Sequence, residues 1–267
     1  MRLLLGDIMK NLLLQNVSTR EIRVVIQAVA LSEKDEYHVL RSDIDDIHKH
    51  KEYLNTATPI GSVEFVRKTM EVAGIEEPEV NPYPIIEEKF LKRKVEKIDL
   101  IGHAFFPYFY GFVKPTKLKQ FTGFVYDPKE DSDEYLSEQK ELFFEAYRNS
   151  DKTTGYEVWT SEVVNFIGEW RYYIQNENIV GYARYDDDDE NPEELQEPNL
   201  SLIKEYISKI QIKHPYVLDF GILDTGETVL VEYNDFWAIG LYENVLHPKK
   251  YLEMLVERFE IIRGNCL

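Results

Sequence analysis

Apolar residues along this chain follow two rhythms, one of period two and one of three to four. KNLLLQ at residues 10–15 is a short apolar run with polar ends and predicts a strand. Helical spacing over residues 19–31 predicts a helix, and YHVL at 37–40 predicts a second strand. The polar segment SDIDDIHKHKEY that follows reads as a solvated loop. His48 and His50 within it are two positions apart and cannot share a helix face, which disfavours a metal pair. Ser62 stands as N-cap before VEFVRKTMEVAG, a helix stopped by Gly74. Pro78, Pro82 and Pro84 then interrupt the chain, and residues 85–98 carry an amphipathic, charged pattern that predicts a further helix. The first hundred residues thus read as one small α/β unit.

Beyond residue 100 the pattern becomes aromatic. PYFYGFVK at 107–114 predicts a strand, and FTGFVYD at 121–127 predicts its partner. Lys114 ends the first strand and Lys119 lies in the loop between them. Lysines so placed on a hairpin over a cleft can hold phosphate oxygens, although solvated surface lysine satisfies the same pattern, as it does for Lys117. A polar stretch at 128–137 leads into a helix, EQKELFFEAYRN, and then a strand at 156–164. EWRYYIQNENIVGYARYD predicts a hairpin turning at Asn176-Glu177-Asn178, with Glu169 and Arg171 on one face. A cross-strand ion pair is the plain alternative there. The acidic run at 186–190, with Glu193, Glu194 and Glu197, reads as a solvated insertion and not a metal site. Helices at 200–212 and 248–262 complete the pattern.

Between those last helices lies YVLDFGILDTGETVLVEYNDFW, residues 216–237. Two apolar runs flank Asp224-Thr225-Gly226-Glu227, a hairpin signature. With Thr225-Gly226 as the loop, Asp219 faces Glu232, with Cβ atoms about 4.5–5.5 Å apart, and Asn234 shares their face. Apolar neighbours on both faces indicate a covered sheet. Two like charges there need a positive charge between them. Asp, Glu and Asn oxygens suit Mg2+, which commonly also binds substrate phosphates. A hairpin with one protonated or lysine-paired carboxylate fits the pattern too. On like-charge grounds alone, neutralising Asp219 or Glu232 should leave the fold at least as stable.

Composition narrows the partners. The 267 residues include 49 acidic and 31 basic ones, a net charge of −18, which disfavours a nucleic-acid backbone or anionic membrane as main partner. By the same steering a neutral or cationic acceptor, such as a small amine or an amine-bearing peptide, is favoured. A single cysteine, Cys266, fits a reducing cytosol. The opening MRLLLGDIMKNLLLQN is broken by Asp7 and Lys10 and lacks a cleavage site, so a cytoplasmic protein without a membrane span is expected.

The order Lys114, Lys119, Glu162-Val163-Val164-Asn165, Glu169-Trp170-Arg171, Asp219 and Glu232-Tyr233-Asn234 resembles that of the ATP-grasp enzymes. The metal hairpin is similar to that of D-alanine–D-alanine ligases and their relatives. Phe112-Val113-Lys114-Pro115, with Lys119-Gln120-Phe121-Thr122-Gly123 and Arg171, resembles most a clade frequent in bacteriophages and named for one arginine and two lysines. The resemblance implies an α+β fold with two ATP-grasp subdomains closing on ATP, and a small N-terminal α/β subdomain at 1–100. Residues 101–160 would bear the lysines and 161–267 the metal site. It implies Lys114 and Lys119 on phosphate oxygens, Glu162, Val163 and Val164 at the adenine, and Glu169 at the ribose. Asp219, Glu232 and Asn234 would hold Mg2+, and Arg171 would stabilise the transferring phosphoryl group. The implied reaction joins a carboxylate donor to an amine through an acyl phosphate. A small-molecule or protein kinase, or a non-catalytic nucleotide-binding regulator, are the other classes. Two departures stand out. There is no glycine-rich lid, and Asn234-Asp235-Phe236-Trp237 lacks the Pro-Gly of many relatives, which leaves Asp235 as an extra ligand or an amine-recognition group.

Overall fold

The structure is a computed structural model that describes residues 9–100, 109–116, 120–129, 134–150, 155–185, 196–242 and 245–264. The first unit runs β1 (Lys10–Gln15), α1 (Arg20–Ala30), β2 (Tyr37–Ser42), α2 (Lys51–Leu54), β3 (Ala57–Ile60) and α3 (Val63–Ala73). β1 lies between β2 and β3, all parallel. Leu12, Leu13 and Leu14 are all fully buried, as a central strand covered on both faces requires. Ser62 accepts the Phe65 N–H at 3.1 Å to start α3, and Gly74 ends it at φ 70°. The segment expected as a loop holds a 3₁₀ turn, Ile44–His50, that runs into α2.

The helix expected over 85–98 is not formed. α4 (Glu88–Leu91) is a single turn ended by Lys92 at φ 50°, and β4 (Val95–Asp99) follows. Pairing of Val95 with Ser161 and of Asp99 with Glu157 draws this segment into a sheet, so tertiary pairing outweighs the local amphipathic pattern. β5 (Gly111–Pro115) and β6 (Phe124–Tyr126) form the expected hairpin. α5 (Glu134–Asn149) covers one face of their sheet, where Phe143 packs on Phe121, Phe124 and Tyr156. β7 (Glu157–Ser161) completes the antiparallel order β4-β7-β5-β6.

The third sheet is the hub. β8 (Phe166–Gln175), β9 (Asn178–Arg184), β10 (Tyr216–Leu223) and β11 (Thr228–Asp235) lie in the order β11-β10-β8-β9, all antiparallel. α6 (Leu200–Ile210) buries Ile203, Tyr206 and Ile207 on one face, against Tyr172, Leu218 and Phe220. α7 (Pro248–Ile262) covers part of the other face, where Tyr173 and Val217 join Leu252, Leu255 and residues of β1 and α1. Among the described residues no helix is long and apolar enough to cross a membrane.

The β10–β11 turn is one residue longer than a Thr225-Gly226 loop. Leu223 N–H donates to the Glu227 carbonyl at 3.0 Å and Gly226 N–H to the Leu223 carbonyl at 2.8 Å. Asp224, Thr225 and Gly226 therefore form a three-residue loop with Gly226 at φ 82°. Taken alone, that loop would place Val231 opposite Asp219 and turn Glu232 to the α6 face. Phe220 does pair with Leu230, but a β-bulge then takes up Val231, and Asp219 pairs with Glu232. Two departures from the simple hairpin cancel.

A Cβ at Gly226 would meet nothing within 4 Å, so only backbone strain opposes a side chain there. Gly226→Ala should therefore cost about 1 kcal/mol in urea unfolding, with an unchanged denaturant slope. A neutral effect would contradict the turn geometry.

Candidate active site

Arg171 of β8, Asp219 of β10 and Glu232 of β11 lie in one row across three strands. Arg171 grips Asp219 with its planar fork, Nε to Oδ1 at 2.8 Å and Nη2 to Oδ2 at 2.7 Å. Asn234 donates Nδ2 to Glu232 Oε1 at 2.8 Å and to Asp219 Oδ2 at 3.3 Å. Lys114 reaches across from β5, in the second sheet, and ion-pairs with Glu232. The side chain of Asp219 is 1% exposed and that of Arg171 13%. Burial pulls the Lys114 ammonium down to about 8, against the attraction of Asp219 and with the help of nearby Arg93. Burial also opposes the Arg171 charge, but the charge and hydrogen bonds of Asp219 outweigh it and raise its pKa.

Glu169 shares the cleft face with Arg171, as its spacing predicts, and accepts a hydrogen bond from the Tyr185 hydroxyl. The Tyr185 ring stacks on Tyr242 at 5.3 Å between centroids and an angle of 10°. The Arg171 guanidinium lies 5.5 Å from the Tyr185 ring and 5.4 Å from the Tyr242 ring. Burial, then the charges of Asp219 and Glu169, raise the Tyr185 pKa well above the ordinary phenol value. Neither tyrosine is marked by the sequence pattern. The only local signal is that Tyr185 continues the β8–β9 ladder, its N–H donating to the Glu169 carbonyl at 3.0 Å.

Glu162, Val163 and Val164 occupy the link from β7 to β8, between the second and third sheets. Glu162 is tied to Lys94 twice, through its own N–H at 3.1 Å and through Oε2, which accepts the Lys94 N–H at 2.9 Å. Val163 is exposed and Val164 half-buried. None of the three lines the cleft of about 670 Å³ bounded by Lys114, Thr116, Arg171, Glu232, Asn234 and Trp237. Asp235 also borders that cleft, but Arg258 of α7 takes both its oxygens, at 2.7 and 2.6 Å. Held this way, Asp235 is the buried counter-ion of Arg258, its side chain 4% exposed. Lys117, Lys119, Cys266 and the acidic residues at 186–190, 193 and 194 lie outside the described residues.

The donor set can be tested for a hard cation. Among the described residues no three His, Cys, Asp or Glu side chains converge as a metal site. The set is instead two carboxylates and an amide, which is oxygen chemistry suited to Mg2+. Lys114, Arg171 and the Asn234 N–H together supply the positive charge that the facing carboxylates require. A divalent cation would supply the same charge and would be met by the oxygen end of the amide.

The family model of the ATP-grasp domain, R2K clade family 2, matches residues 90–254. Among solved structures, the chain is similar to D-alanine–D-alanine ligase from Bacillus anthracis, with a TM-score of 0.50 and 14% identity over 97% of this chain and 100% of that one. It is similar to the ATP-grasp ligase PsnB, solved with its minimal precursor, at a TM-score of 0.53 and 10% identity over 94% and 100%. N5-carboxyaminoimidazole synthetase from Staphylococcus aureus gives 0.53 and 8% over 94% and 78%. No curated protein matches significantly in sequence. The shared property is the fold, an ATP-grasp arrangement of mixed helices and sheets.

The bidentate pair reverses the stability expected of a neutralised Asp219. Asp219→Asn would leave Arg171 buried without its counter-charge, so unfolding should become easier by roughly 2–4 kcal/mol. Combining it with Arg171→Met should restore a large part of that loss in urea unfolding. Additive losses in the double variant would contradict the pairing.

Proposed function

We propose, from the premise that this chain belongs to family 2 of the R2K clade of ATP-grasp domains, that it is an ATP-dependent carboxylate–amine ligase. One observation carries the reading furthest. Two cations from two different sheets neutralise the two carboxylates suited to a metal. Mg-ATP has the complementary charges. Its phosphates match Lys114 and Arg171, and its cation matches Asp219 and Glu232. Binding can thus exchange partners without stripping any charge bare.

In this reading Lys114, with Lys119, holds phosphate oxygens, and Arg171 stays over the transferring phosphoryl group, steadied by Tyr185 and Tyr242. Glu162, Val163 and Val164 face the adenine and Glu169 the ribose hydroxyls. Asp219, Glu232 and the Asn234 amide oxygen hold Mg2+. A cation held there would supply positive charge against the phosphate oxygens. A substrate carboxylate attacks the γ-phosphorus and ADP leaves. An amine then attacks the acyl carbon, phosphate leaves with the C–O bond electrons, and the nitrogen loses a proton. Lys114 and Arg171 serve both steps by stabilising the negative phosphoryl oxygens. The subdomain that bears Lys114, expected from residue 101, takes in β4 as well through its pairing with β7. A cytoplasmic setting rests on the single cysteine.

Partner exchange predicts cooperative binding, because either component alone would take partners from charges that only the other can match. By calorimetry, Mg2+ should tighten ATP binding at least tenfold, a coupling of about 1.4 kcal/mol. Binding of each component that ignores the other would contradict this. The reaction itself is tested by product analysis with carboxylates and amines as paired substrates. ADP with an amide supports ligation, a stable phosphoester indicates a kinase, and binding without turnover indicates a regulator.

A further inference from the structure

Arg93 sits between α4 and β4 and is only 7% exposed. Among the described residues its guanidinium forms no salt bridge. It spends its donors on backbone carbonyls: Nη1 on Leu91 at 3.1 Å and Leu230 at 2.9 Å, Nη2 on Val231 at 3.3 Å. The rings of Tyr83 and Phe166 lie 5.9 and 5.7 Å from it. A buried charge held this way is costly unless the carbonyls need it.

They do. Val231 is the extra residue of the bulge, and Leu230 is the last residue before the register changes. A bulge disrupts the ladder and leaves backbone groups in search of partners. The arginine fork places two nitrogens against two consecutive carbonyls, which an ammonium cannot reproduce. The same connecting segment holds the other side of Glu232, since the Pro82 carbonyl accepts the Tyr233 N–H at 2.8 Å. Glu232 is therefore bracketed, by Arg93 before it and Pro82 after it.

We propose that Arg93 is a positioning residue that stabilises the bulged register of β11 and so keeps Glu232 and Asn234 beside Asp219. Its consequence for metal binding rests on the function proposed above; its hold on the bulge does not. Deleting Val231 supplies a control, because a strand without the extra residue places Glu232 opposite Asp219 with no bulge to stabilise.

The test uses the full chain, Arg93→Lys, deletion of Val231, and the two combined. Hydrogen exchange reads the register and Mn2+ titration by electron paramagnetic resonance reads the site. Arg93→Lys should speed exchange over residues 230–235 at least tenfold while α7 is unchanged, and should weaken Mn2+ binding at least tenfold. In the chain lacking Val231, the same substitution should change Mn2+ binding less than twofold, and this arm serves if Arg93→Lys alone does not fold. Uniformly faster exchange, or equal Mn2+ losses in both backgrounds, would overturn the proposal as mere stability. Wild-type protein that ignores Mn2+ and Mg-ATP would overturn the proposed function, and exchange alone then decides Arg93. Acceleration confined to 230–235 upholds its role, and a uniform or absent response overturns it.

Discussion

Two carboxylates, Asp219 and Glu232, stand side by side in the interior of a folded sheet, and the surrounding structure answers that charge. Unit charges roughly 5 Å apart repel by about 3 kcal/mol at an effective dielectric near 20. Asp219 has almost no access to water, so solvent does not relieve the repulsion. Relief comes from Arg171 one strand away and Lys114 from another sheet. The second sheet is thus joined to the third through the atoms that make the candidate site. Electrostatic need adds to the apolar packing of Val95 and Trp159 on Trp170 and Tyr172 in holding the two sheets together.

This has a functional corollary. A site that is neutral within itself stays folded without ligand, yet every one of its charges has an alternative partner in Mg-ATP. Asp235 and Arg258 show the contrast, because they form an equally short fork but lie buried together beneath α7. Nothing in a nucleotide is needed to complete that pair, which anchors α7 to the end of β11. Two bidentate carboxylate pairs so near one another can therefore have different duties. What separates them is the member that the cleft meets: the cation Arg171, with Glu232 beside it, in the first fork, and only the carboxylate Asp235 in the second, whose partner Arg258 is buried away from it.

Much of this was legible in the residues. Ser62 and Gly74 bound α3 by local chemistry, and α7 runs over the residues its apolar spacing predicts. Asp219, Glu232 and Asn234 come together because a period of two puts them on one face. Yet the expected loop was one residue too short, and only the bulge at Val231 restores the pairing. That bulge leaves no mark in VLVEY, since its support comes from Arg93, 137 positions away. Strand β4 was missed for a similar reason. Its charged residues at helical spacing say nothing of β7, whose edge it joins. Tyr185 and Tyr242 were missed because stacking between distant loops has no sequence period. Local rules reached the caps and faces, and tertiary partners decided the rest.

The account is tested most directly by a crystal structure with Mg2+ and a non-hydrolysable ATP analogue. The predicted result has the cation on oxygens of Asp219, Glu232 and Asn234, with Lys114 and Arg171 turned to the phosphates. Nucleotide bound elsewhere, with the Lys114–Glu232 and Arg171–Asp219 pairs intact, would contradict it.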